Sequence, residues 1–140
     1  MFEKICIVCY ANYCRSPVAE AILNHTFRNK TFTSAGINPL STIGMDKRSL
    51  NYLNLHNYKI KQHIPKKINS NIVNSNDLVL AIDFEILLKL NNMFPSAKNK
   101  IKLFTFQNPE IKLRDPYKLE KDEYFECMEK IEIISKELIL

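Results

Sequence analysis

Apolar residues in this chain fall into short runs separated by amphipathic stretches, and the alternation predicts strands interleaved with helices. Lys4 to Val8 reads as a buried strand. Pro17 stands where a first helical turn accepts a residue without an N–H. Val18, Ala21, Ile22 and His25-Thr26 then mark one face of a helix running to about Asn29. Phe32 to Ala35 is the next strand, closed by Gly36, and residues 37–45 form a loop. Asp46 suits a helix cap, with Leu50, Leu53 and Leu55 on the apolar side of the helix that follows. Tyr58 to Ile60 suggests a short extended piece, and Asn69 to Val73 one or two helical turns. Asp77 to Ile82 is nearly continuous in apolar residues, as a parallel strand covered on both faces should be. Asp83 ends it and a helix runs to about Asn92; Ile101 to Phe104 is a further strand. Glu120 to Leu138 is a final helix, with Phe125, Met128, Ile131, Ile134 and Leu138 at helical spacing.

This order predicts an α/β fold: one domain over residues 1–140, with a four-stranded parallel sheet and helices on both faces. Sites in such folds lie outside the carboxyl ends of the strands. Cys9, Gly36, Asp83 and the segment after Phe104 should therefore approach one another.

Composition narrows the class. The chain has 140 residues, 46% hydrophobic and 25% charged, enough for one core without metal or disulfide support. The net charge of +5 favours anionic partners, but the basic residues are scattered among acidic ones. The densest group, Lys59, Lys61, Lys66 and Lys67, has little aromatic interleaving, so no nucleic-acid partner is expected. No stretch reads as a signal peptide or a membrane span, so no membrane association is expected. Three of the four cysteines, Cys6, Cys9 and Cys14, crowd the first strand and turn, and Cys127 lies near the far end. That is a poor extracellular staple pattern and favours the cytoplasm.

The chemistry concentrates in the turn from Cys9 to Ser16. A turn between a strand and a helix N-terminus directs backbone N–H groups inward, a nest suited to a tetrahedral oxyanion such as phosphate. Arg15 can add bidentate donors. Such surroundings lower a cysteine pKa by roughly one to several units, which would make Cys9 an ionised nucleophile. Ser16 can hydrogen-bond that thiolate. The turn lacks the Gly-rich run and Lys of an ATP-binding loop. Cys9 and Cys14 have four residues between them, and Cys6 and Cys9 point to opposite faces of a strand, so neither pair is thioredoxin-like. No paired-ligand spacing predicts a metal, and no cofactor is expected. A phosphate ester also needs its leaving oxygen protonated. Asp115, stiffened by Pro116, is the best donor, and can then activate water against a phosphocysteine. Tyr117 can wall a planar substrate group.

The chain resembles the low-molecular-weight protein tyrosine phosphatases along almost its whole length. The resemblance rests on Val8-Cys9-Tyr10-Ala11-Asn12-Tyr13-Cys14-Arg15-Ser16-Pro17 followed by Ala19-Glu20, and on Ser34-Ala35-Gly36. It continues through Asp46 and Arg48, the run Asp77 to Asp83, and Asp115-Pro116-Tyr117. It implies a phosphoric monoester hydrolase with Cys9 as nucleophile, Arg15 as phosphate clamp, Asp115 as general acid and then base, and Ser16 assisting the thiolate. Asn12, Ser34 and His63 would form a buried polar network holding the loop, with Asn12 left-handed. Cys14 would trap an oxidised Cys9 as a disulfide, a redox guard; Cys6 and Cys127 are expected to pack. Implied partners are tyrosine-phosphorylated proteins and, for a bacterial member, an autophosphorylating tyrosine kinase of polysaccharide export. The protein is expected to act as a monomer.

The departures from the family pattern bear on specificity. Ala11 stands in place of Gly; at positive φ it would cost roughly 1 kcal/mol or more, at negative φ little. Tyr10 is expected at the cleft mouth and Tyr13 under the loop, and Leu40 replaces an aromatic wall. Two alternative functions share the loop. Thiol-dependent arsenate reduction lacks an internal relay, since residues 15–126 contain no cysteine. A weakly catalytic phosphate-binding module is the other.

Overall fold

A computed structural model describes residues 2–140. Its element order is β1 (Lys4–Cys9), α1 (Ser16–Thr26), β2 (Thr31–Gly36), α2 (Lys47–Leu55), α3 (Ser70–Ser75), β3 (Leu78–Ala81), α4 (Phe84–Met93), β4 (Ile101–Leu103) and α5 (Lys121–Glu137). A 3-10 turn, Pro95–Lys100, precedes β4. The strands form one parallel sheet, as the alternation predicts, in the order β2-β1-β3-β4. β1 and β3 are central, and their runs Ile5 to Cys9 and Leu78 to Ala81 are buried throughout because helices cover both faces. Helices α1, α2 and α5 pack on one another, while α4 packs on β3 and β4. The chain leaves β1 for β2 on one side and places β3 on the other. The carboxyl end of β1 is thus a switch point, where an α/β sheet opens a crevice.

Differences from the expected elements have local causes. α1 stops at Thr26 rather than near Asn29 because Phe27 turns extended and packs on Phe32, their rings 5.8 Å apart. α2 buries Ser49, Tyr52 and Leu53, whereas Leu55 is 71% exposed. Tyr52 takes the core-facing place because its hydroxyl bonds Glu132 of α5. Residues 58–60 form no strand; Tyr58 is buried and donates to the same carboxylate. Asp46, Asn69 and Asp83 cap α2, α3 and α4 through their side chains.

Candidate active site

The segment from Cys9 to Arg15 leaves β1 and curls tightly before α1 begins at Ser16. Its shape is set from outside. Every carbonyl from Cys9 through Cys14 is taken by a donor beyond the loop. The amides of Ile37, Asn38 and Leu40 reach Cys9, Tyr10 and Ala11 at 3.1, 2.8 and 3.0 Å. His63 Nε2 reaches Asn12 at 2.6 Å, the Asp46 amide reaches Tyr13 at 3.0 Å, and Ser49 Oγ reaches Cys14 at 2.9 Å. With the carbonyls turned out, the amides turn in. Among the described residues, the amides from Tyr10 through Ser16 have no backbone acceptor, and α1 has no side-chain cap. A ring of unspent donors at a helix N-terminus is an anion cradle.

Asn12 is the keystone, wholly buried and left-handed at φ 52. Its Nδ2 donates to Ser16 Oγ and to Ser34 Oγ, each at 2.9 Å, and its Oδ1 accepts from the Lys66 amide at 3.0 Å. Since His63 Nε2 faces a carbonyl, that nitrogen carries the proton. Ser16 Oγ already accepts from Asn12, so its own hydrogen is free for Cys9 Sγ, 2.8 Å away. Ser34 passes its hydrogen to Glu20 Oε1. Ala11 lies outside the positive-φ residues, so it carries no left-handed penalty. The glycine that the geometry does require is Gly36. A Cβ there would stand 2.8 Å from Asn12 N and from Tyr10 O.

Arg15 is 3% exposed. Its Nη1 donates to Asp83 Oδ2 at 2.8 Å and to Leu113 O at 3.0 Å. Asp83 Oδ1 meanwhile caps α4 at Ile86 N. Burial opposes the guanidinium charge, but Cys9, Asp83 and Asp115 outweigh it, so its pKa lies above the ordinary value. With Nη1 occupied, Nε and Nη2 remain to meet two oxygens of an anion.

Cys9, Tyr10, Ala11, Tyr13, Cys14, Arg15, Leu40, Asp115 and Tyr117 line one cleft of about 260 Å³. The structure thus brings together the residues expected to act on a substrate, while Asn12, Ser16, Ser34 and His63 stand behind the loop. Tyr10 and Leu40 are 44% and 40% exposed at the mouth. Tyr13 corrects an expectation: instead of packing beneath the loop it lines the cleft, edge-on to Tyr117 with centroids 6.3 Å apart. Asp115 is exposed, and its Oδ1 accepts the Tyr117 amide at 3.1 Å. Cys14 faces Asp46 Oδ2 at 3.9 Å, and burial foremost pushes its thiol up to about 12. Cys6 is buried, with its thiol pushed up to about 11. All four cysteines are free.

Several supporting residues escaped the sequence reading of the site. Glu20 and Arg48 stood inside recognised motifs but carried no role. Asp83 is expected at the same end of the sheet as Cys9 but carries no assigned role there, and Cys127, which packs in the core as expected, also donates to Arg114 O at 3.5 Å. Their partners are distant in the chain, and no spacing rule connects them.

A buried cysteine–serine pair in an amide cradle, faced by an arginine and an exposed carboxylate, has the geometry and charge to receive a tetrahedral oxyanion beside a thiol. The family model for low molecular weight phosphotyrosine protein phosphatase matches residues 4–139, and the chain belongs to that family and is an enzyme of it. The low molecular weight protein-tyrosine-phosphatase Wzb of Salmonella typhi is 30% identical over 124 residues, covering 89% of this chain and 83% of that protein. Among solved structures, Wzb from Escherichia coli K30 in complex with sulphate superposes with a TM-score of 0.91 at 26% identity, covering 97% of this chain and 95% of that one. Wzb of Vibrio vulnificus in complex with benzylphosphonate has a TM-score of 0.90 at 25% identity, covering 97% and 96%. Among the described residues no helix is long and apolar enough to cross a membrane.

Proposed function

We propose that the protein hydrolyses aryl phosphate monoesters, phosphotyrosine in proteins among them, through a phosphocysteine at Cys9. The observation that carries this reading is the outward turn of every carbonyl from Cys9 through Cys14, which leaves a ring of amides around the thiol. In the first step Cys9 Sγ attacks phosphorus while the inward amides and Arg15 hold the equatorial oxygens. The P–O bond to the leaving group breaks, and Asp115 gives that oxygen its proton. In the second step Asp115 takes a proton from water, whose oxygen attacks phosphorus. The S–P bond breaks, and the departing thiolate is received by the Ser16 hydroxyl at 2.8 Å. Asn12 keeps that hydroxyl aimed by occupying its lone pair.

Tyr10, Tyr13, Leu40 and Tyr117 give the cleft apolar walls around an anion site, the combination an aromatic ring bearing a phosphate requires. The natural partners on this reading are tyrosine-phosphorylated proteins, a bacterial tyrosine kinase among them, given the relatives named Wzb. Four free thiols fit a cytoplasmic setting. Arsenate reduction by a cysteine relay is less well supported. The thiols lining the cleft are Cys9 and Cys14, and Cys127 is buried outside it.

The test is hydrolysis of an aryl phosphate by the wild type, Cys9→Ser and Asp115→Ala. Wild type should turn over and Cys9→Ser should lose activity by about 10⁴-fold or more. Asp115→Ala should lose about 10²–10⁴-fold. An inert wild type, or full activity in Cys9→Ser, would overturn the mechanism.

A further inference from the structure

We propose that Arg48 is a positioning residue for the general acid, fixing the Asp115 loop against the phosphate loop; this rests on the reading of Asp115 as the acid. Arg48 touches neither Cys9 nor the cleft, yet its guanidinium joins both sides of the site. Toward α2 it grips the cap residue, with Nε on Asp46 Oδ1 at 3.0 Å and Nη2 on Oδ2 at 2.9 Å. Toward the acid loop, Nη2 donates to Tyr117 O at 3.0 Å and Nη1 to Leu119 O at 3.1 Å. Its plane rests on the Tyr124 ring of α5, Cζ 3.9 Å from the centroid.

Each anchor leads back to the phosphate loop. The Asp46 amide holds Tyr13 O, and Asp46 Oδ2 accepts from the Cys14 thiol. Tyr124 hydrogen-bonds Ser49 Oγ, which donates to Cys14 O. On the other side, Tyr117 is the residue whose amide orients the Asp115 carboxylate. The acid loop is otherwise exposed at Arg114, Asp115 and Lys118, and its own backbone supplies one internal bond, Leu119 N to Pro116 O at 3.0 Å. Arg15 and Cys127 hold the loop upstream of Asp115, at Leu113 O and Arg114 O, and two charge-assisted bonds from a pre-aimed fork fix it downstream, so that Arg48 sets one side of where the carboxyl stands relative to Cys9. A lysine could keep the charge but reach one carbonyl, not two.

The consequence is specific to proton donation. Displacing an acid by about 1 Å costs up to about 100-fold, but only where the leaving group needs the proton. For Arg48→Met, kcat/KM on phenyl phosphate should fall about 10- to 100-fold, and on 2,4-dinitrophenyl phosphate within about threefold. Arg48→Lys should fall between wild type and Arg48→Met. Inhibition by inorganic phosphate should stay within about twofold, since the cradle itself is intact. In Asp115→Asn, adding Arg48→Met should cost little more, because Arg48 acts through Asp115.

An equal loss on both esters, a weakened phosphate inhibition, or full additivity with Asp115→Asn would each overturn the assignment. Should Arg48→Met fail to fold, the same comparison is read in Arg48→Lys. If Asp115→Asn itself shows no preference for the better leaving group, the acid reading falls and this inference with it. If Asp115→Asn shows that preference and neither Arg48 variant does, only the inference falls.

Discussion

The loop around Cys9 and the loop around Asp115, which the proposed mechanism makes the phosphate loop and the acid loop, face each other across one cleft but are built in opposite ways. Residues 9–16 are held by a buried network that takes every carbonyl and leaves the amides free: Cys9, Asn12, Cys14, Arg15 and Ser16 are all buried, and each loop carbonyl has a partner. Residues 113–119 are tethered by side chains from elsewhere in the fold. Arg15 holds Leu113 O, Cys127 holds Arg114 O, and Arg48 holds Tyr117 O and Leu119 O. Asp115 itself is exposed. On the proposed mechanism, the contrast follows from what each side has to do. An anion cradle works by preorganised dipoles in a water-poor site, so its backbone must not relax. An acid that later deprotonates water needs solvent at hand, so it is held by its neighbours and left open.

If the two sides differ in this way, the largest effect comes from Asn12. Asn12→Ala puts a Cβ-bearing residue with no amide side chain at φ 52 and strands the Lys66 amide. The left-handed penalty adds roughly 1 kcal/mol and the orphaned donor about 1–3 kcal/mol. The melting temperature should drop by about 5–15 °C, with hydrolysis lost alongside. Asn12→Gly relieves the φ penalty and should recover part of the stability but not the activity. Asp115→Asn should leave the melting temperature nearly unchanged. If Asn12→Ala proves as stable as Asp115→Asn, the two loops are not built differently.

A smaller effect sharpens the link between them. Burial pushes the Asp46 carboxyl up, but hydrogen bonds from the Arg48 side chain and amide outweigh it and leave the pKa below its ordinary value. A carboxyl depressed on folding contributes stability above its unfolded pKa and loses it as pH falls through the folded one. Arg48→Met should therefore cost roughly 1–2 kcal/mol near neutrality, Arg48 being partly exposed. The gap from wild type should narrow below about pH 4. Melting curves at several pH values check this; a gap constant down to acid pH would mean the pair contributes nothing.

The smallest effect concerns Cys14, a thiol of the rigid loop. After mild peroxide, mass spectrometry should find a Cys9–Cys14 disulfide, formed as Cys14 attacks the Cys9 sulfenic acid and water leaves. Because the resting thiol is held up to about 12, chiefly by burial, the fraction of activity recovered by dithiothreitol should rise from about pH 6 to about pH 9. Irreversible Cys9 sulfinate at every pH would show that the loop is too rigid to close that bond.

Much of this was legible in the residue string. The alternation of buried runs and amphipathic helices carried the parallel sheet, because a strand covered on both faces must be apolar throughout, as Leu78 to Ala81 is. The contiguous turn from Cys9 to Ser16 carried the residues of the cradle, because a strand-to-helix turn places its amides at a helix N-terminus, while the donors that turn its carbonyls out come from elsewhere in the chain. Leu55 was misread because periodicity counts apolar residues, whereas α2 buries Tyr52, which has a polar partner on α5. Tyr13 was misread because nothing local tells which side of a tight loop a side chain takes.

What the sequence alone determined was therefore confined to neighbours in the chain: the parallel α/β class, the thiol at the end of β1, the asparagine tolerant of positive φ, the carboxylate stiffened by a following proline. What only the tertiary structure decided were the partners: Asp83 on Arg15, Glu20 behind Ser34, Arg48 across to Tyr117 and Leu119. Local conformation follows from steric and hydrogen-bonding preferences that a few adjacent residues carry. A contact such as Arg48 to Tyr117, 69 residues away, exists because the packed helices and sheet bring its two ends together.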